Sequence, residues 1–165
     1  PSTGLRFFTV YGPWGRPDMA PMIFANAILN ELPIKIFNFG KMKRDFTYIE
    51  DVVECIKRCC FKPATVSSSF DKFNPENSCS FAKHRIFNVG NSQPVQLEIF
   101  IELLEEALGK KAIKKYEKLQ KGDVISTLSD TSLLTHWIDF YPSTPIEDGI
   151  QNFAKWYKNY YECKI

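Results

Sequence analysis

The chain has 165 residues, 44% hydrophobic and 24% charged, and its 21 basic and 19 acidic side chains leave a net charge of +2. That length supports one domain with a real core, and the balanced charge gives no electrostatic footprint for DNA or RNA. An aromatic content of 15%, with 14 phenylalanines, excludes a disordered chain. No apolar run approaches the roughly 20 residues of a membrane helix, so no membrane partner is expected. The N-terminus, Pro1 to Arg6, has no signal-peptide pattern and no initiator Met, as though the chain were cut before a buried strand. The five cysteines form no C-x-x-C pair, and His84 and His136 give poor zinc-ligand spacing, so no metal site is expected. Their odd number, with Cys55, Cys59 and Cys60 on one expected helix, points to reduced thiols in a cytoplasmic protein.

Leu5–Val10 is a continuous apolar run that predicts a buried strand, closed by the turn Tyr11-Gly12-Pro13. A helix is expected from Met22 to Leu32, ended by Pro33, and Ile34–Phe37 alternates like a short strand. Thr47-Tyr48-Ile49-Glu50 has the form of a capping box, and Ile49, Val52, Val53, Ile56 and Cys60 follow at helical spacing. Residues 62–84, with Ser67-Ser68-Ser69 and two prolines, read as a long surface loop inserted into the domain. Arg85–Val89 is a further apolar strand, closed by Gly90-Asn91-Ser92. From Leu97 a helix places Phe100, Leu103, Leu104, Ala107 and Leu108 on one face, and Gly109 suits its C-terminal stop. Ile113–Tyr116 is expected as a strand and Ser132–Ile138 as a short helix. Thr144-Pro145-Ile146-Glu147 reads as an N-cap, a proline at the first helical position and a closing glutamate. Strands alternate with helices throughout, which makes the fold class α/β.

The sequence contains no G-x-G-x-x-G, no P-loop, no H-E-x-x-H and no G-x-S-x-G. Its single Tyr-x-x-x-Lys, Tyr160 to Lys164, sits in the last turn, and about one such spacing is expected by chance at this composition. No self-contained active site is visible. What remains is polar chemistry suited to binding. Tyr11–Met19 packs glycines, prolines, Arg16 and Trp14 just after a strand, either as a ligand loop or as a plain turn. Thr9, near the end of that strand, faces either core or ligand. Lys41-Met42-Lys43-Arg44-Asp45 is a basic cluster just before a helix, either solvated or a place where Arg44 reaches a phosphate. Gln120-Lys121-Gly122-Asp123 is either a turn or a carboxylate presented to ribose hydroxyls. Two basic positions, a carboxylate and a Gly/Pro loop together fit an anionic sugar nucleotide.

Several spaced segments carry a resemblance over nearly the whole chain. They are Leu5–Pro13, Arg16-Pro17-Asp18-Met19-Ala20, Arg44–Val52, Phe87–Asn91, Gly122-Asp123-Val124 and the tail from Pro142 to Gly149 with Trp156-Tyr157 and Tyr160-Tyr161. In this order they resemble the extended short-chain dehydrogenase/reductase family of nucleotide-sugar epimerases and dehydratases. Thr9 with the R-P-D-M-A run is most similar to the UDP-glucuronate 4-epimerase branch. A hydroxyl and a guanidinium suit a sugar carboxylate, whose 4-keto intermediate is a β-keto acid prone to lose CO₂.

The resemblance implies that residues 1–165 are the C-terminal, nucleotide-sugar-binding portion of a Rossmann-type α/β fold. Residues 1–15 would contribute the last part of its sheet and the nicotinamide-side loop, and the N-terminal dinucleotide-binding part would be absent. Phe8, Val10, Tyr11 and Pro13 would lie beside NAD. Lys35 and Phe37 would frame the uracil, Arg44 and Gln120 the diphosphate, Asp123 the ribose, and Thr9 and Arg16 the sugar. The segment Asn38–Met42 departs from the family's more usual glycine-rich turn. The implied activity is interconversion of UDP-glucuronate and UDP-galacturonate with tightly held NAD, in a cytoplasmic homodimer feeding surface polysaccharide synthesis. The catalytic tyrosine and lysine would lie upstream, so this chain alone would be inactive. The alternatives are a related epimerase, dehydratase or decarboxylase, or a non-catalytic nucleotide-sugar-binding module.

Overall fold

The first apolar run is divided between two sheets. In a computed structural model, which describes residues 1–76 and 78–161, β1 (Ser2–Phe7) and β2 (Thr9–Tyr11) meet at Phe8. β1 runs parallel to β5 (His84–Val89), with Leu5 opposite Phe87, and the Phe8 amide makes the next bond to the Val89 carbonyl. The chain then leaves that sheet, and β2 runs parallel to β4 (Lys43–Tyr48), which also pairs antiparallel with β6 (Pro94–Gln96). A third pair joins β3 (Pro33–Ile36) in parallel to β7 (Ile113–Tyr116). The expected single buried strand is therefore corrected: β1 is largely open to solvent, with Phe7 49% exposed. Tyr160 is described, whereas Lys164 and Cys163 lie outside the described residues.

The helices are α1 (Ala20–Leu29), α2 (Ile49–Phe61), α3 (Leu97–Leu108), α4 (Ser132–Ile138) and α5 (Ile146–Tyr160). α1 starts and stops earlier than Met22–Leu32. Asn30 bonds back to the Asn26 carbonyl, Glu31 turns left-handed, and the Leu32 amide bonds to the Ala27 carbonyl, so Pro33 opens β3 instead of ending a helix. α3 follows its apolar spacing and ends, as expected, on left-handed Gly109.

Neither expected cap forms. β4 runs on through Tyr48, so Thr47 is a buried strand residue whose hydroxyl has no partner, and α2 starts with Tyr48 as its N-cap. Asp51, in the first turn of α2, instead accepts the Ser143 and Thr144 amides at 3.1 and 2.9 Å. That contact engages Thr144, and α5 starts one residue later with Pro145 as its N-cap. Lys43, Arg44 and Asp45 of the basic cluster likewise lie on the strand β4, not in a loop before a helix, and Met42, just ahead of the strand, is core.

Two apolar cores result. The larger joins α1, α3 and α5 to Tyr11, Ile34, Ile36, Phe46 and Tyr48, with the Phe46 and Phe100 rings stacked at 4.3 Å. The smaller contains Val52, Cys55, Cys59, Phe87, Val89, Leu134 and Ile138. Residues 62–76 and 78–83 form no helix or named strand; Ala64, Ser67 and Cys79 are buried there, and Phe73 and Phe81 are open to solvent. Among the described residues no helix is long and apolar enough to cross a membrane, and no three His, Cys, Asp or Glu side chains are grouped so as to hold a metal ion.

Two measurements check this packing. Burial pushes the Cys55 thiol up to about 12, whereas Cys60 is exposed. Because the thiolate is the nucleophile, alkylation near pH 8 should label Cys60 well before Cys55, as read by peptide mass spectrometry; equal rates would contradict the core. At Gly149 any Cβ would overlap the Tyr11 hydroxyl, itself buried without a partner. Gly149→Ala should cost about 2 kcal/mol, and Tyr11→Phe should restore part of it. Urea unfolding of both single variants and the double variant tests the coupling, and strict additivity would count against it.

Candidate functional site

Pro33–Lys35 of β3, Thr9 of β2, Arg44 and Phe46 of β4, the start of α1 and Asp123 converge on a cavity of about 530 Å³. Its floor is apolar, formed by Met19, Ile23, Phe24, Met42, Phe46 and Leu97. Its polar groups are few: Thr9, Asp18, Lys35, Arg44 and Asp123, with the Phe37 ring beside them. An apolar floor with sparse, placed polar groups is the usual composition of a small-molecule site.

Strand alternation decides which residue of β2 reaches the cavity. Thr9 lines it. Val10 packs against the smaller core, and Tyr11 enters the larger one against Phe46, Tyr48 and Phe100. Burial, aided by nearby acidic groups, holds the Tyr11 phenol well above its ordinary range. Tyr11 therefore presents only backbone to any ligand. Phe8 and Pro13 are half-buried, and like Val10 and Tyr11 they do not line this cavity.

Arg44 and Asp123 are 79 residues apart and meet at the rim, Nη2 to Oδ1, at 2.9 Å. Arg44 Nη1 donates to the carbonyls of Lys43 and Ile125, which fixes the guanidinium in place. Its Nε and one Nη2 hydrogen have no partner among the described residues. The Asp123 Oδ1 also accepts from the Val124 amide, and Gly122 supplies the left-handed turn before it. The Arg44 side chain is 18% exposed and that of Asp123 31%. A cation that is partly desolvated, oriented and still holding free donors suits a phosphate oxygen.

Lys35 reaches the rim with its ammonium 3.9 Å from Glu117. Phe37 opens a 3-10 turn, Phe37–Gly40, in which Asn38, Phe39 and Gly40 are all left-handed. That conformation is costly for Phe39, and the Phe39 amide is held by the Glu117 carbonyl. A Cβ on Gly40 would overlap the Glu98 carboxylate. The loop that lacks the usual glycine-rich turn is thus built with one glycine and two strained residues. Gln120 is exposed and off the cavity, linked to the site only by its carbonyl, which accepts the Asp123 amide.

The structure does not bring Arg16 to the cavity. Its side chain is 74% exposed and forms a two-point pair with Asp18, which lowers the Asp18 carboxyl below its ordinary range. Asp18 itself lines the rim and was missed by sequence reasoning, although it stands two residues from Arg16. Asp45 was missed as well. It is fully buried behind Arg44, and in the sequence it stood only as an acid inside a basic cluster and a member of the Arg44–Val52 segment, with no role attached.

Because the Arg44–Asp123 pair is part-exposed, its net contribution to stability is small. Asp123→Asn should shift the urea midpoint by an amount equivalent to no more than about 1 kcal/mol. A larger loss would mean that the pair is a structural strut.

Residues 1–90 match the NAD dependent epimerase/dehydratase family. The chain is 48% identical over 162 residues to protein CapI of Staphylococcus aureus, covering 98% of this chain and 48% of that protein. It is 44% identical over 165 residues to a probable UDP-glucuronate 4-epimerase of Rhizobium meliloti, again covering 98% of this chain and 48% of the relative. Among solved structures it is similar to UDP-glucuronic acid 4-epimerase from Bacillus cereus in complex with UDP-glucuronic acid and NAD. That likeness has a TM-score of 0.76 and 29% identity, over 95% of this chain and 45% of that one. The chain spans about half the length of the curated relatives it matches.

Proposed function

Because the chain belongs to the NAD-dependent epimerase/dehydratase family, we propose that it is the sugar-nucleotide-binding portion of a UDP-glucuronate 4-epimerase. The observation that carries this reading is the Arg44–Asp123 pair on the rim of a cavity with an apolar floor. Arg44, through its free Nε and Nη2 hydrogens, binds the diphosphate, and the Asp123 Oδ2 accepts ribose hydroxyls. Phe37 stacks beside the uracil and Lys35 flanks it. Thr9 donates to the sugar. Arg16 grips the sugar's carboxylate by exchanging Asp18 for it, since Asp18 occupies the guanidinium in this structure. Holding that carboxylate out of the geometry for CO₂ loss favours epimerisation to UDP-galacturonate over decarboxylation.

The residues here fit one end of a dinucleotide. Half-buried Phe8 follows β1 and half-buried Pro13 stands two residues beyond β2, which gives a flat ring apolar neighbours at the ends of two strands that pair in parallel with β5 and β4. No phosphate-cradling glycine loop stands beside them among the described residues, so the pyrophosphate contacts belong elsewhere in the enzyme. NAD, when bound, supplies hydride acceptance and return at the sugar's C4. Residues 1–15 extend the sheet that carries it, and residues 62–76 and 78–83 belong to the connection between α2 and β5, with Ala64, Ser67 and Cys79 buried. The residue that takes the C4 hydroxyl proton also lies outside this chain, whose role is to bind and orient. The enzyme is a cytoplasmic homodimer supplying surface polysaccharide synthesis.

Calorimetric titration of UDP into the chain tests the reading. UDP should bind, and Arg44→Met should weaken it at least about tenfold, the loss of one charge-assisted contact. Equal affinity of Arg44→Met and the unaltered chain would overturn it. Thr9→Val and Arg16→Met should weaken UDP-glucuronate and leave UDP-glucose nearly unchanged. Equal loss on both sugars would favour a relative acting on neutral sugars.

A further inference from the structure

Behind the Arg44–Asp123 pair, on the opposite side of β4, lies a carboxylate that does not line the cavity and has no role in the binding scheme above. Asp45 is fully buried and forms no ion pair among the described residues. Its charge is met entirely by hydrogen-bond donors from two distant turns. Oδ1 accepts the Asn91 amide at 3.0 Å, and Oδ2 accepts the Ser92 amide at 3.1 Å and the Ser129 amide at 2.8 Å. The Ser129 hydroxyl donates to the same Oδ2. The Asp45 amide in turn donates to Thr127 Oγ1 at 3.1 Å.

These bonds share one geometric result. Residues 125–129 are drawn alongside β4, where the Lys43 amide bonds to the Ile125 carbonyl and the Thr127 amide to the Lys43 carbonyl. The Ile125 carbonyl is also the second anchor of Arg44 Nη1, and Asp123 is only two residues before it. The 120–129 segment forms no helix or named strand; a single parallel bridge, Ser126 to Lys43, and the Arg44 contacts join the Asp45 bonds in setting its distance from β4. Gly90 completes the arrangement, since a Cβ there would overlap Ser129 and press on the Asp45 carboxylate.

We propose that Asp45 is the positioning residue of the site: by clamping Ser129 and Asn91-Ser92 it holds the 123–129 segment against β4. It thereby fixes the spacing between the Arg44 guanidinium and the Asp123 carboxylate. The consequence for a ligand rests on the nucleotide-sugar reading above, whereas the clamp itself does not.

The test uses the full 165-residue chain and two readouts. Asp45→Asn keeps the volume but places an amide donor against backbone N–H groups. Ser129→Ala removes a single donor and serves as the milder variant should Asp45→Asn not fold. Amide hydrogen exchange should speed up at least about tenfold in residues 123–129 in Asp45→Asn and less in Ser129→Ala, with α3 and α5 unchanged. UDP affinity, measured in parallel, should fall in the same order, by about tenfold for Asp45→Asn. Unchanged exchange in residues 123–129 in both variants would overturn the proposal. So would loss of UDP affinity without a change in that segment. If UDP fails to bind the unaltered chain, the nucleotide reading falls, and the exchange data still decide the clamp.

Discussion

The alternation of side chains along β4 is the constraint on which the site depends. A strand must send successive residues to opposite faces, and here the two faces have opposite duties. Arg44, Phe46 and Tyr48 turn toward the cavity and the larger core, whereas Asp45 and Thr47 turn toward the buried polar side. Moving the register by one residue would bury the guanidinium and expose the carboxylate that organises two turns. Binding chemistry and the scaffold that holds it are therefore written into consecutive residues and cannot drift apart.

Much of the fold was legible because its elements are local. The Leu97, Phe100, Leu104 and Leu108 spacing with Gly109 defined α3, and Ile113–Tyr116 was read as a strand and is one. Failures cluster where a local signal competed with a distant one. Thr47 resembled a cap, but β4 pairing reached past it; Thr144 resembled a cap, but Asp51 from α2 claimed its amide. The run Leu5–Val10 gave no sign of its division at Phe8, because both halves are apolar and only the partners differ.

The same distinction governs the site. Thr9, Lys35, Phe37, Arg44 and Asp123 were named from the sequence and converge on one cavity. Their convergence was not legible, since nothing local connects residue 44 with residue 123. Gln120 and Arg16 lie off the cavity, the latter engaged by a neighbouring acid that competes for the same donors a ligand would need. Asp45 escaped notice because a carboxylate among lysines reads as surface charge until burial is known.

The strand β1 has a consequence for how this chain behaves in bulk. It hydrogen-bonds on one edge only, to β5, among the described residues, and Phe7 stands in solvent beside its free edge. A bare strand edge is a template for another strand, whichever molecule supplies it. The small net charge of +2 provides little colloidal repulsion to oppose such an encounter. That edge is thus a place where another strand can add, whether from a second copy of this chain or from a neighbouring part of a longer protein.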